Sequence, residues 1–443
     1  MLKPGDVIPL AIEKPAVGGA MIARHEGRVV LVAGGIPGER VQARIRRVAK
    51  GMAHADTVAI VEASPDRRAA FGDPLCGGCL YSHIAYPRQL QIKAQVIADA
   101  FTRIGHLEWP APVIVAASPE DGYRMRARLH VRGSRFGFFR EGSHDLCDAP
   151  ATRQLLPATL DALERVMAAV RSIGVDSVRE IELSENIDAS QRVVHLETSE
   201  PRHARLLGRL VAVDGFTTGP YVTDTISIGD APLRLRRHVL AFFQGNRYLL
   251  RDLVAHVVAR VPIGARLLDL YAGVGLFSVA AAVLRGAATV AIEADGIAFE
   301  DLRANAAVAG AKLTVIHSPV ESVGASALRA GFGDADPRPD VVIVDPPRTG
   351  MSPEALASVV AMRPACLIYV SCDVATLARD ARKVVDAGYA IDRADAFDLF
   401  PNTPHVETVV VLTRTESPRT TLGPEGPHDS RLGAAVRQPP CLT

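Results

Sequence analysis

Apolar and polar residues alternate in short runs at the start of the chain, IPLAIEK, RVVLVA, RVQARIRRV and DTVAIVEA, broken by Gly18-Gly19, Gly34-Gly35 and Pro37-Gly38. A period of two puts one side of each run in a core and the other in solvent, so residues 1–65 predict a small β-barrel. Residues 66–260 predict a central α+β domain, with a cysteine loop, an amphipathic helix from Pro87 to Ile104, then strands and one or two further helices. Within it YRMRARLHVRGSRFGFFR places Arg124, Arg126, Arg128 and Arg132 on one side of a strand, where four cations need an anion. From 261 the texture becomes apolar strand, glycine loop and Ala-rich helix, repeated. Fully apolar strands such as DVVIV between helices predict a parallel sheet covered on both faces, hence a Rossmann-like, doubly wound α/β domain over 261–415. Residues 416–443 carry five prolines and no periodicity, which predicts a flexible tail and makes Cys441 incidental.

The chain has 443 residues and is 48% hydrophobic, ample for several buried cores. Its 50 Lys plus Arg balance 49 Asp plus Glu, so any affinity for nucleic acid must come from local patches. One such patch is Arg44, Arg46, Arg47 and Lys50; residues 1–70 hold 11 basic and 7 acidic side chains. A solvated strand face is the plain reading of that excess. No apolar run is long enough to span a bilayer and the chain opens without a charged leader and apolar core, so a cytoplasmic protein, a monomer, is expected. Cysteines at 76, 79, 147, 366, 372 and 441 are too sparse for a disulfide framework and read as ligand, nucleophile or filler.

Three segments carry candidate chemistry. Leu268-Asp269-Leu270-Tyr271-Ala272-Gly273-Val274-Gly275 reads as strand then tight glycine turn, with Ser278 where a dinucleotide site would place its third glycine. Asp269 repels phosphate and suits instead a nucleoside carrying an ammonium group, as in S-adenosylmethionine, with Glu293 placed to accept ribose hydroxyls. Asp345-Pro346-Pro347-Arg348 follows the strand DVVIV at the sheet edge where such folds bind ligands. Methyltransferases acting on exocyclic amines often carry a related motif with an aromatic residue, which Arg348 replaces here. Cys372 stands at the end of another strand, near a helix N-terminus that favours thiolate, although a packing cysteine is the plain alternative. Glu407, with His405 before it, enters a closing apolar strand as a candidate proton acceptor. A thiolate adding to carbon 6 of uracil makes carbon 5 nucleophilic enough to take a sulfonium methyl group, after which a base must remove the carbon 5 proton.

On Phe243-Gln244-Gly245-Asn246, DLYAGVG, Asp345-Pro346-Pro347-Arg348, Ser371-Cys372-Asp373 and Asp398-Leu399-Phe400-Pro401 through Glu407, the chain resembles the RNA uracil-5-methyltransferase family. The resemblance spans nearly all of residues 1–414. It implies class I S-adenosylmethionine chemistry, with Cys372 as nucleophile and Glu407 as proton acceptor. By the same likeness Gln244, Tyr271, Gly273, Gly275, Glu293 and Asp345 line the cofactor and base pocket. The first 65 residues resemble a TRAM domain, an OB-like RNA-binding barrel, which turns the basic patch into an expected RNA contact. Transfer-RNA-specific relatives commonly lack this barrel, so 23S ribosomal RNA is favoured over transfer RNA. A non-catalytic RNA-binding relative and an amine methyltransferase working through Asp345 are the alternatives from other classes. Many ribosomal-type relatives also hold a four-iron cluster. Here Cys76 and Cys79 match two of its ligands, while Ala70 and Thr152 fall at or near the other two positions. Two thiolates cannot ligate a cubane, so no iron–sulfur cluster is expected, and a zinc site or a rearranged set using Cys147 and His83 are the alternatives.

Overall fold

The computed structural model describes residues 2–108, 112–207, 213, 215–229, 231–310, 312–333 and 337–415; the expected tail and Cys441 lie outside them. Strands β1 (Val7–Pro15), β2 (Met21–His25), β3 (Arg28–Ala33), β4 (Arg40–Ala49) and β5 (Met52–Glu62) close into a barrel in the order β1-β2-β3-β5-β4. Alternation does what the pattern predicts: Val41, Ala43 and Ile45 fill the interior, while Arg44, Arg46 and Arg47 are exposed.

Helix α1 (Tyr86–Arg103) follows, its first turn favoured by Pro87, whose missing N–H would have no partner there in any case. Its inner face buries Ile92, Val96, Ile97, Ala100 and Phe101, and with them two polar residues, Gln89 and Lys93. A two-residue strand β6 (Val115–Ala116) leads to a five-stranded sheet of β7 (Arg126–Arg132), β8 (Arg135–Phe139), β9 (Leu146–Asp148), β10 (Val178–Glu185) and β11 (Arg192–Thr198), ordered β11-β10-β7-β8-β9. Helix α2 (Pro157–Ser172) packs on it through Leu163, Val166 and Met167. The anion for two of the arginines is internal. Arg128 lies opposite Glu182 in register and pairs with it, and Arg126 approaches the same carboxylate at 3.8 Å. After α3 (Pro201–Leu207), the hairpin β12 (Tyr221–Ile228) and β13 (Ala231–His238) leads into the catalytic half, with Arg237 fully buried against Asp224 at 2.6 Å.

That half alternates α4 (Leu250–Val258), β14 (Arg266–Leu270), α5 (Leu276–Arg285), β15 (Ala288–Glu293), α6 (Gly296–Ala309), β16 (Leu313–His317), α7 (Ala325–Phe332), β17 (Val341–Val344), α8 (Pro353–Met362), β18 (Cys366–Ser371) and α9 (Val374–Asp386), then β19 (Tyr389–Phe397) and β20 (Glu407–Arg414). The sheet order is β16-β15-β14-β17-β18-β20-β19-β6. The strands from β14 to β18 are mutually parallel and β20 runs against them. Apart from the half-buried edge strand β16, most of their residues are buried, on both faces and in two separate clusters, which is why the sequence reads as unbroken apolar runs rather than alternation. Helix starts are fixed by side-chain caps: Asp295 accepts from the amides of Ile297 and Ala298, and Ser352 from that of Ala355. Among the described residues no helix is long and apolar enough to cross a membrane.

Helix α1 is locked to the loop between β19 and β20 by a buried ion pair, Lys93 Nζ to Asp398 Oδ1 at 2.5 Å, with both side chains almost fully shielded. Lys93 also donates to the Phe400 carbonyl at 3.1 Å. Removing one partner strands the other charge away from water. Lys93→Ala is therefore expected to lower unfolding free energy by about 3–5 kcal/mol, read from urea denaturation. The double change Lys93→Met with Asp398→Leu should recover most of that loss.

Candidate active site

Parallel strands β14, β17 and β18 end on one edge, at Leu270, Val344 and Ser371, and the strand order reverses at β14, which opens a crevice there. Because β20 runs antiparallel, it begins at this same edge. Ser371 is in register with Thr408, so Cys372 and Glu407 leave the sheet side by side. The fold thus gathers Tyr271, Asp345, Cys372 and Glu407, four positions scattered over 137 residues, onto one rim.

The glycine loop is left-handed at three points: Tyr271 (φ 63°), Gly273 (φ 56°) and Gly275 (φ 95°). At Gly275 a side chain is also excluded by space, since a Cβ would come within 2.7 Å of both Leu302 and Val279. At Gly273 a Cβ would meet nothing within 4 Å, so this side of the loop is open to a ligand. Glu293 staples the loop to the neighbouring strand. Its Oε2 accepts from the Gly273 amide at 2.7 Å, and its Oε1 from Ala294 and Asp295 at 2.8 and 2.7 Å. The carboxylate expected to meet a ribose thus already holds three amides, and only its remaining lone pairs face outward. Asp269, buried behind the turn, has no hydrogen-bond partner at either carboxylate oxygen, and burial pushes its pKa up to about 7.

Beyond the loop, Gln244 donates to Asp345 Oδ2 at 3.3 Å, joining the Phe243-Gln244-Gly245-Asn246 segment to the end of β17. Asn246 fixes that segment, donating to Ser118 Oγ at 2.9 Å and to the Leu399 carbonyl at 3.1 Å. Asp345 is raised to about 7 by burial, and Glu407 is raised well above the usual carboxylate range by burial and by Asp345. Glu407 Oε1 is buried without a partner. Cys372, half-buried and free, is raised to about 11 by burial and by the negative charges of Glu407 and Asp345. This opposes the direction expected from the helix N-terminus alone. The cap of α9 is itself a carboxylate, Asp373, which accepts from the Thr376 amide at 2.9 Å and offsets the helix dipole. What favours the thiolate is the cation of Arg348, which opposes the two acids. His405, pulled down to about 4 by burial and by the cations of Arg348, Lys93 and Arg124, is neutral at pH 7 and sits edge-on to the Phe400 ring, 6.0 Å between centroids.

Arg348 entered the sequence reading only as the residue in place of an aromatic, and the structure gives it a partner. The loop before Glu407 was equally hidden. Asn402 accepts from Arg68 and Gln89 through its side chain at 2.8 and 2.9 Å and from the Tyr81 amide through its carbonyl at 2.9 Å. Gln89 and Lys93, one helical turn apart on an otherwise apolar face of α1, were the available signal.

The cysteine loop lies apart from these residues. Cys76 and Cys79 meet Cys147 in a buried cluster with Phe71 and Phe138. His83 is not with them: its Nε2 lies 3.4 Å from the Gly35 carbonyl, in the barrel wall. Ala70 is exposed, and Thr152 spends its hydroxyl on the Ala149 carbonyl at 2.7 Å.

Comparison with known proteins agrees with this geometry. Residues 334–415 match the family model described as tRNA (Uracil-5-)-methyltransferase, and residues 2–58 match the TRAM domain. An RNA methyltransferase of Corynebacterium efficiens is 31% identical over 429 residues, covering 93% of this chain and 96% of the relative. The 23S rRNA (uracil(1939)-C(5))-methyltransferase RlmD of Halomonas elongata is also 31% identical, over 94% of this chain and 91% of its own. The crystal structure of Pyrococcus abyssi tRNA (uracil-54, C5)-methyltransferase with S-adenosyl-L-homocysteine superposes with a TM-score of 0.70 at 24% identity, covering 91% of this chain and 99% of that one, which establishes the shared fold. The chain belongs to the S-adenosylmethionine-dependent RNA uracil-5-methyltransferase family.

Two outcomes test the site. Gly275→Ala forces a Cβ into Leu302 and Val279 at a left-handed position, and should weaken donor binding at least tenfold by calorimetry while lowering the thermal midpoint. Arg348→Met should slow alkylation of Cys372 by iodoacetamide at pH 8 several-fold, followed by mass spectrometry of its peptide, because the thiol loses the cation that opposes Glu407 and Asp345.

Proposed function

We propose that the protein methylates carbon 5 of a uridine in structured RNA, with 23S ribosomal RNA as substrate, acting as a monomer in the cytoplasm. The observation that carries the reading is the juxtaposition of Cys372 and Glu407 on one sheet edge, with Arg348 on the thiol and Asp345 beside the carboxylate. The residues fit a nucleoside donor: an open turn at Gly273, a buried acid with unfilled oxygens at Asp269, and Glu293 at the next strand end. Bound S-adenosylmethionine supplies an electrophilic methyl group.

The chain's own residues do the rest. Arg348 stabilises the Cys372 thiolate, whose sulfur adds to carbon 6 of the flipped-out base and shifts the electron pair to carbon 5. Once carbon 5 carries the new methyl group, Glu407 takes the carbon 5 proton, the electron pair reforms the ring double bond, and the thiolate leaves. A buried carboxylate with raised proton affinity suits that acceptance, and Glu407 is raised both by burial and by the nearby Asp345. Gln244 holds Asp345 in place. The exposed cations of the barrel, Arg44, Arg46, Arg47 and Lys50, supply phosphate contacts without reading sequence. The similarity to RlmD over both chains' length supports ribosomal RNA.

With 5-fluorouracil-containing 23S RNA and the donor, a covalent protein–RNA adduct should accumulate, because fluorine cannot leave as a proton; Cys372→Ala should abolish it. Absence of adduct with the intact enzyme would reject the thiol mechanism. Glu407→Gln should trap adduct on ordinary RNA, and release of product at full rate would place the base elsewhere. Adduct formation should quicken as pH rises from about 6 to 9, since the nucleophile acts ionised and its pKa lies above neutrality. A strain lacking the gene should lose 5-methyluridine from 23S RNA by nucleoside mass spectrometry; loss from transfer RNA instead would reassign the substrate.

A further inference from the structure

The four-iron cluster carried by many ribosomal-type relatives does not fit the cysteine loop of this chain, and the reason goes beyond a shortage of ligands. On a cubane the cysteine sulfurs are held apart by the cluster's own width. Here they pack as one apolar cluster with Phe71 and Phe138, free and shielded from solvent. The space is tight at several points around the loop, although Gly77 faces open space. A Cβ on Gly72 would lie 3.1 Å from the Cys79 sulfur and 2.8 Å from the Ala151 carbonyl. One on Gly78 would lie 2.0 Å from Gln154 Nε2, and one on Gly137 would lie 1.8 Å from the Cys147 carbonyl. Gln154 is pinned there by Tyr123 and Arg124, which donate to its Oε1 at 3.1 and 2.7 Å. At Gly72 and Gly78 the packing beside the cysteines leaves no space even for a methyl group, and the loop offers three thiols where a four-iron core needs four ligands.

We propose that Cys76, Cys79 and Cys147 form a reduced, metal-free thiol clasp that fastens the loop to the central sheet in place of a cluster. The three sulfurs join segments far apart in sequence. Cys76 bridges to Arg140 through the backbone, Cys147 sits on β9, and Arg140 adds an ion pair to Asp73 at 2.5 Å. Sulfur suits the task, because buried thiols pack as small apolar groups. The set is also short of a mononuclear site. Among the described residues the only grouping of three potential ligand atoms within mutual metal reach is Asp176, Glu200 and His203, not the cysteines.

The test uses the full chain purified without oxygen and, separately, in air. Iron, acid-labile sulfide and zinc should all be far below one per chain, with no visible charge-transfer band. Thiol titration should find Cys76, Cys79 and Cys147 unreactive in the folded protein and all reactive after unfolding without reductant, in both preparations. Stoichiometric iron or zinc, or a disulfide linking any two of the three, would overturn the clasp. Cys147→Val keeps an apolar group of similar size and should leave the thermal midpoint within a few degrees, whereas Cys147→Asp should lower it markedly; equal losses from both would equally count against packing as the basis.

Discussion

Two carboxyl groups in a water-poor crevice, Asp345 and Glu407, set the terms for everything around them. Neither ionises readily beside the other, and the thiol of Cys372 feels both as negative neighbours. Left alone, such a group of acids and thiol would hold its protons and do nothing. Arg348 changes the balance, because its cation lies within reach of the sulfur and of Glu407, lowering the proton affinity of each. The glycine turn is built on the same principle in reverse: Glu293 is satisfied by three backbone amides, while Asp269 beside it is shielded and left without a partner.

Much of this was legible in the residues. Buried parallel strands declare themselves as unbroken apolar runs, and the barrel as alternation, because burial on two faces or on one leaves different periods. Cys372 and Glu407 were visible as chemically unusual residues at strand ends. Their adjacency was not, since it depends on β20 running antiparallel between β18 and β19, which local pattern does not encode. The arginine strand was legible only in part: a row of cations called for an anion, and for Arg126 and Arg128 it is Glu182, across the ladder on β10 and 54 residues further along from Arg128. The thiolate-favouring helix end failed because burial and the acids Glu407 and Asp345, brought in from other strands, outweigh it.

The cysteine loop and the loop preceding Glu407 are coupled in a way that motif order hides. Tyr81, two residues beyond Cys79, donates its amide to the Asn402 carbonyl, and Arg68 and Gln89 hold the Asn402 side chain. Asn402 has φ 63°, a left-handed conformation that asparagine tolerates better than most residues, and its own amide donates to Gln89 Oε1 at 2.9 Å. The cysteine loop is thus tied by a main-chain hydrogen bond to the loop that leads into the strand carrying the proposed base.

The barrel rests directly on the same loop. A Cβ on Gly19 would lie 2.8 Å from the ring of Pro404, Arg67 grips Glu39 at 2.6 Å, and Lys14 pairs with Asp99 of α1. An appended module on a slack tether would sample many separations from the crevice. If RNA lies along the barrel as proposed, a module seated this firmly acts as a fixed-length gauge: the pocket receives only the nucleotide lying at that span along the folded path, and substrate choice becomes a matter of distance as well as of sequence.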